Sequence, residues 1–123
     1  MSVDAHAAVP TRPEDLATRQ LDAYNRHDID AFCACFADEV EAFELPTMQL
    51  LFKGRDALRE RYGPYFATKR PAATLVVPRI TMGSFAIDTE HVALANGTTL
   101  GAIALYHVEG DTIARVWFIR APR

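Results

Sequence analysis

Long alternating runs fill the C-terminal half of the chain, and they constrain the fold more than any other feature. After Pro71 the sequence turns β-branched, and the spacing predicts strands over roughly 73–82, 85–95, 98–108 and 111–120, separated by Gly83-Ser84, Asn96-Gly97 and Glu109-Gly110. Asn96-Gly97 is the strongest hairpin signal, because both residues tolerate positive φ. Strands of about ten residues are long for a small protein. Long antiparallel strands twist and curl, so such a sheet has a concave face that other elements must cover. With 123 residues there is room for one domain and one core.

The covering elements are predicted upstream. Thr11 and Glu14 have capping-box spacing with Pro13 in the first turn, and Leu16, Ala17, Gln20, Leu21 and Tyr24 recur at helical spacing, which predicts a helix over about 12–25. After a break at 25–27, Asp28 caps a second helix whose stripe is Ile29, Phe32, Cys33 and Phe36, ending near Ala37. Residues 40–45 alternate as a strand ended by Pro46, and 48–52 return as its hairpin partner. Gly54 opens a third helix with Ala57, Leu58, Tyr62, Tyr65 and Phe66 on one stripe, and Gly63-Pro64 should kink or break it. The expected fold is α+β: a cone-shaped, curved antiparallel sheet packed against three N-terminal helices. Residues 1–10 are small, polar and aperiodic and are expected to be disordered, leaving 11–123 as the single domain.

Composition narrows the function classes. Half the residues are hydrophobic and 24% charged, with 13 basic against 16 acidic side chains and a net charge of −3. No face is basic enough for a phosphate backbone, so no nucleic-acid partner is expected. No apolar run approaches the roughly 20 residues a membrane helix needs, and residues 1–10 lack the basic-then-apolar order of a secretion signal. Cys33 and Cys35 are the only cysteines. Two apart on a helix, their sulfurs diverge by about 200°, so they read as buried hydrophobes. A cytoplasmic domain is expected, with no metal and no cofactor. No histidine pair has helical ligand spacing, the glycines form no phosphate cradle, and Arg55, Arg59, Arg61, Lys69 and Arg70 read as a solvated face.

The order of elements and four local segments carry a family resemblance. Tyr24-Asn-Arg-His-Asp-Ile-Asp-Ala-Phe followed by Phe36-Ala-Asp-Glu-Val, then Phe52-Lys-Gly-Arg-Asp-Ala-Leu-Arg, and finally Ile103-Ala-Leu-Tyr-His-Val-Glu-Gly-Asp-Thr-Ile-Ala-Arg-Val-Trp-Phe resemble the nuclear transport factor 2-like (cystatin-like) superfamily. Within it the chain is most similar to the SnoaL-like and ketosteroid isomerase-like branch, over about residues 14–120. The resemblance implies the cone architecture and, in the isomerase branch, a strand-end carboxylate that moves a proton beside a carbonyl. Counted from Phe36, that position falls on Glu44. The family's tyrosine position falls on Gln20 and its second carboxylate near Ala104, which donates nothing from its side chain, so the isomerase oxyanion hole is not reproduced.

Strand parity, read independently, puts Val40, Ala42 and Glu44 on one face. If that face lines the cone, Glu44 is either a base raised by desolvation or a strand-end acid paired with an arginine, Arg115 first. Gln20 interrupts the apolar stripe of the first helix and Tyr24 follows one turn later, so both are candidate donors. The resemblance puts Arg115 and Trp117 toward the cone. His91 and His107 are each a candidate acid, base or donor, and parity puts His107 opposite Tyr106, so those two cannot both line the cavity. The expected walls are Leu16, Phe32, Phe36, Leu58, Tyr62 and Phe66, with His91, Arg115 and Trp117. The expected ligand is a small apolar carbonyl compound of polyketide- or steroid-like shape. An outer sheet face that is partly apolar, at Val116 and Phe118, predicts a homodimer.

Overall fold

The computed structural model describes residues 11–122. The predicted disordered segment 1–10 lies outside the described residues. Three helices, α1 (Pro13–Arg26), α2 (Ile29–Ala34) and α3 (Arg55–Lys69), pack on seven strands: β1 (Phe36–Glu44), β2 (Gln49–Lys53), β3 (Ala72–Leu75), β4 (Ile80–Met82), β5 (Phe85–Ala93), β6 (Thr99–Glu109) and β7 (Thr112–Pro122). The strands form one curved, unclosed sheet in the order β2-β1-β7-β6-β5-β3, with β4 also on β5. All pairs are antiparallel except β1 with β7, which is parallel.

Local chemistry explains the boundaries. The α1 N-cap is Arg12, without a side-chain cap bond, and Pro13 takes the first turn. The Thr11 amide donates instead to the Gly110 carbonyl, so the predicted capping box does not form. Asp28 does cap α2, its Oδ1 accepting from the Ala31 amide at 3.1 Å. That helix stops at Ala34, earlier than its apolar stripe predicts, because the Ile113 amide of β7 takes the Cys35 carbonyl at 2.9 Å and starts the parallel ladder at Phe36. α3 runs unbroken through Gly63-Pro64 to Lys69. Gly97, at φ +89°, turns the β5–β6 hairpin with the Leu94 amide bonded to the Thr98 carbonyl.

Two irregularities position the site. The predicted strand 73–82 is two strands, because β3 pairs Leu75 with Glu90 and β4 resumes with Ile80 on Ile87. Residues 76–79 stand opposite only two residues of β5, so they bulge from the edge, and Pro78 has no N–H for a ladder. In β7 the register slips between Val108↔Ile113 and His107↔Arg115, leaving Ala114 over. Ile113 and Val116 are therefore both buried although three residues apart. The extra residue flips the parity of everything after it.

The core lies between the sheet's inner face and the helices, built on Leu16, Phe32, Val40, Leu58, Phe66 and Ile113, none more than 3% exposed. No helix among the described residues is long and apolar enough to cross a membrane.

Candidate functional site

The helices leave part of the inner face open. There a cavity of ≈ 370 Å³ lies between α1, α2, α3 and the sheet, a size suited to small molecules, whose sites run from about 300 to 1,000 Å³.

Its floor follows from the β5–β6–β7 register. Ala86, Asp88, Glu90 and Val92 pair with Tyr106, Ala104, Ala102 and Leu100, and those with Val116, Phe118, Arg120 and Pro122. Glu90, Ala102 and Arg120 thus form one row across three strands, with only a methyl group between an acid and a guanidinium. The roof is Gln20 and Tyr24 from α1, Phe32 from α2, and Leu58, Tyr62 and Tyr65 from α3, while Phe36 opens β1 beside them. Tyr24 and Tyr62 pack around Phe32, with centroids 6.1 and 4.9 Å away, so the aromatic stripes of all three helices meet over the cavity.

Glu90 is the site's distinctive group. Its carboxylate lines the cavity and makes no hydrogen bond or ion pair with any described residue. Burial, reinforced by the neighbouring Asp88 charge and opposed by Arg79, pushes it up to about 7. Asp88, fully buried, is compensated: Arg79 donates from Nε and Nη2 to its two oxygens at 2.6 and 2.9 Å. The bulge at 76–79 is what brings that arginine to it.

The chain's four tyrosines, Tyr24, Tyr62, Tyr65 and Tyr106, all line the cavity. The Tyr24 and Tyr65 hydroxyls share a hydrogen bond of 2.8 Å. Burial raises all four phenols, Tyr62 to about 12. At neutral pH they are hydrogen-bond donors, not bases. Gln20 is buried, and its amide nitrogen donates to the Ala17 carbonyl at 3.0 Å.

Several residues stand elsewhere than the sequence led us to expect. Leu16 and Phe66 are core beneath the roof and do not line the cavity. Arg115 and Trp117 are on the outer face, since the Ala114 bulge reverses the parity on which their inward placement depended. Trp117 stacks on Phe43 at 6.2 Å, and Arg115 reaches Glu41 at 3.3 Å and Glu109 at 3.6 Å. Val116 and Phe118, expected outside, face inward. His91 lies on the face of β5 opposite Glu90, and His107 stacks on Phe85 there at 4.6 Å, which leaves Tyr106 inside. Glu44 shares the inner face with Val40 and Ala42 but does not line the cavity. Its carboxylate is bound by Arg120, not Arg115.

Among the lining residues that sequence reasoning did not place at the site, Glu90, Tyr65, Tyr106, Arg61 and Arg120 carry polar groups. The β5 pattern conceals Glu90, because Phe85, Ile87, Thr89 and His91 make the more apolar alternate set and yet face outward. The available signal was the hairpin register counted from Asn96-Gly97, which sets two acids opposite Ala102 and Ala104, where there is room. No group of three or more His, Cys, Asp or Glu side chains among the described residues is placed to hold a metal ion.

Comparison with known proteins agrees with this architecture. A cystatin-fold protein from Novosphingobium aromaticivorans superposes with a TM-score of 0.78 at 23% identity, covering 89% of this chain and 99% of its own. A candidate ketosteroid isomerase from Kribbella flavida gives 0.77 at 18% identity, covering 89% and 77%. IdmH, a candidate polyketide cyclase from Streptomyces antibioticus, gives 0.74 at 12% identity, covering 89% and 92%. At these identities the likeness is one of fold. No curated protein matches the sequence. The model of the SnoaL-like domain matches residues 17–116, most of the chain, and with the curved sheet and helical cover it establishes that this protein belongs to the SnoaL-like family.

Proposed function

We propose that the protein is a general-base catalyst of proton transfer at a carbon next to a carbonyl, acting on a small, mostly apolar compound of polyketide- or steroid-like shape. The observation that carries this is the Glu90 carboxylate, unpaired and facing an apolar cavity. A base is most effective when it titrates near the working pH. The Glu90 carboxylate takes the C–H proton, the bonding electrons move onto the carbonyl oxygen, and the enolate so formed accepts hydrogen bonds from the phenols of Tyr106 and Tyr62. Protonated Glu90 then returns the proton to the same carbon or a conjugated one. The names of the structural relatives, an isomerase and a cyclase, fit chemistry of this class.

Exchange of a ketone's α-hydrogens with solvent deuterium tests this without knowledge of the natural product. With 2-tetralone in D₂O, followed by proton NMR, the protein should accelerate exchange, and the rate should rise from pH 5 to 8 with a midpoint near 7. A rate no faster than buffer across that range would overturn the proposal. A second reading, a binding domain without chemistry, draws on the closure of Glu44 by Arg120. It expects 2-tetralone to bind and not to exchange.

We propose in addition that two copies pair through the outer sheet face, a homodimer. Ile103 and Ile119, neighbours in the β6–β7 register, are 37% and 46% exposed there beside Phe43, Leu105 and Trp117. Sedimentation equilibrium at micromolar concentration should give a dimer, and Ile119→Lys should give a monomer with an unchanged circular dichroism spectrum. A monomeric wild type would refute the pairing.

A further inference from the structure

The cavity is apolar along most of its walls but electrically lopsided. Glu90 stands at one side. Arg120 stands two strands away in the same row, about 10 Å at a strand spacing of about 4.8 Å. Arg61, one residue before Tyr62 on α3, is the second guanidinium in the lining. Both are exposed on the solvent side of the cavity, each laid over an aromatic ring: Arg61 over Phe52 at 5.6 Å and Arg120 over Phe118 at 5.5 Å. Arg120 is paired with Glu44, whereas Arg61 has no carboxylate within reach among the described residues. A guanidinium held over a ring keeps its N–H edge free for a planar anion.

From this arrangement we infer that the ligand is an apolar acid, whose carboxylate is held at the mouth by Arg61 and Arg120 while its carbonyl-bearing ring reaches over Ala102 to Glu90. A ligand without charge leaves the free guanidinium of Arg61 without a role, and a ligand with its anion at the other end meets Glu90. In this arrangement Glu44 is a competitor: it holds Arg120 while the cavity is empty and shares or yields it when a carboxylate arrives. Arg61 and Arg120 are binding residues that set orientation, since the charge at one end leaves only the other end of the ring to meet the base.

The inference rests on the proposed reading of the cavity as a site for carbonyl compounds, and a matched pair of probes separates the two. Binding of 6-carboxy-2-tetralone and of its methyl ester is measured by calorimetry on the intact chain, with exchange followed in parallel. The acid should bind about tenfold or more tighter than the ester, as expected for a charge-assisted contact. That preference should collapse in Arg61→Gln, persist in Arg61→Lys, and grow in Glu44→Gln, where Arg120 is released. Equal affinity of acid and ester, or a preference that survives Arg61→Gln and Arg120→Gln, overturns the inference, and exchange of the ester would then leave the catalytic reading standing. A preference that depends on the arginines without exchange of either probe supports the inference and removes the catalysis. Failure of both probes to bind removes both.

Discussion

Glu90→Gln is expected to slow α-exchange a hundredfold or more and, in the same protein, to stabilise the fold above pH 7. The first effect follows from removing the only carboxylate among the described residues that line the cavity, since positioned bases contribute about 10²–10⁴ in rate. The second follows from linkage. The folded state raises Glu90 from 4.5 to about 7, chiefly by burial, so folding favours the protonated form. Its contribution is complete below 4.5, where folded and unfolded chains both carry the proton, and is lost as pH rises through 7. Beyond that point the ionised carboxylate costs the fold about 3 kcal/mol. Glutamine has the shape of the protonated acid and never ionises. Urea denaturation should therefore give nearly equal stabilities for wild type and variant at pH 4.5, with a gap opening to about 3 kcal/mol in favour of the variant at pH 8. Comparing the two proteins at each pH cancels the other titrating groups. A gap that stays closed would mean that the carboxylate is hydrated in the folded state, and the base would lose its tuning.

What the sequence disclosed about this site, and what it hid, divides along a physical line. Local signals carried: the Asp28 cap, the Asn96-Gly97 turn, the helical stripes bearing Gln20, Tyr24, Phe32 and Tyr62, and the parity of β1 that puts Glu44 on the inner face are all set by neighbours a few residues away. The resemblance carried the overall architecture. Facing within the long strands did not carry, because it depends on where residues are inserted. One additional residue at Ala114 turns Arg115 and Trp117 outward, and the interruption at 76–79 sends Arg79 to Asp88. In β5 both alternate sets contain apolar residues, and the set with two acids is the buried one. Hydrophobicity chooses the wrong face there, since it does not register that Arg79, distant in pattern though only nine residues away, neutralises one of the two.

Arg79→Ala is expected to destabilise the protein by about 3–5 kcal/mol, the usual consequence of leaving one partner of a buried ion pair alone. Asp88 is 0% exposed, and both of its oxygens are bonded by Arg79. The same guanidinium donates to the Thr18 hydroxyl at 2.6 Å and the Glu14 carbonyl at 3.2 Å, so it fastens the β3–β4 connection to α1. Replacing both partners with apolar residues, Arg79→Met with Asp88→Leu, should recover most of the loss, because a buried pair is worth little beyond the cost of breaking it. The pair also has a catalytic consequence that stability alone does not reveal. Asp88 raises Glu90 and Arg79 lowers it. Removing the arginine should move the exchange midpoint above 7, and Asp88→Asn, which leaves the cation in place, should move it below. Midpoints that shift in opposite directions in two destabilised variants report electrostatics, since loosened packing would move both the same way. Identical midpoints in the two would show that the base is screened from its neighbours, and Glu90 would then owe its elevation to burial alone.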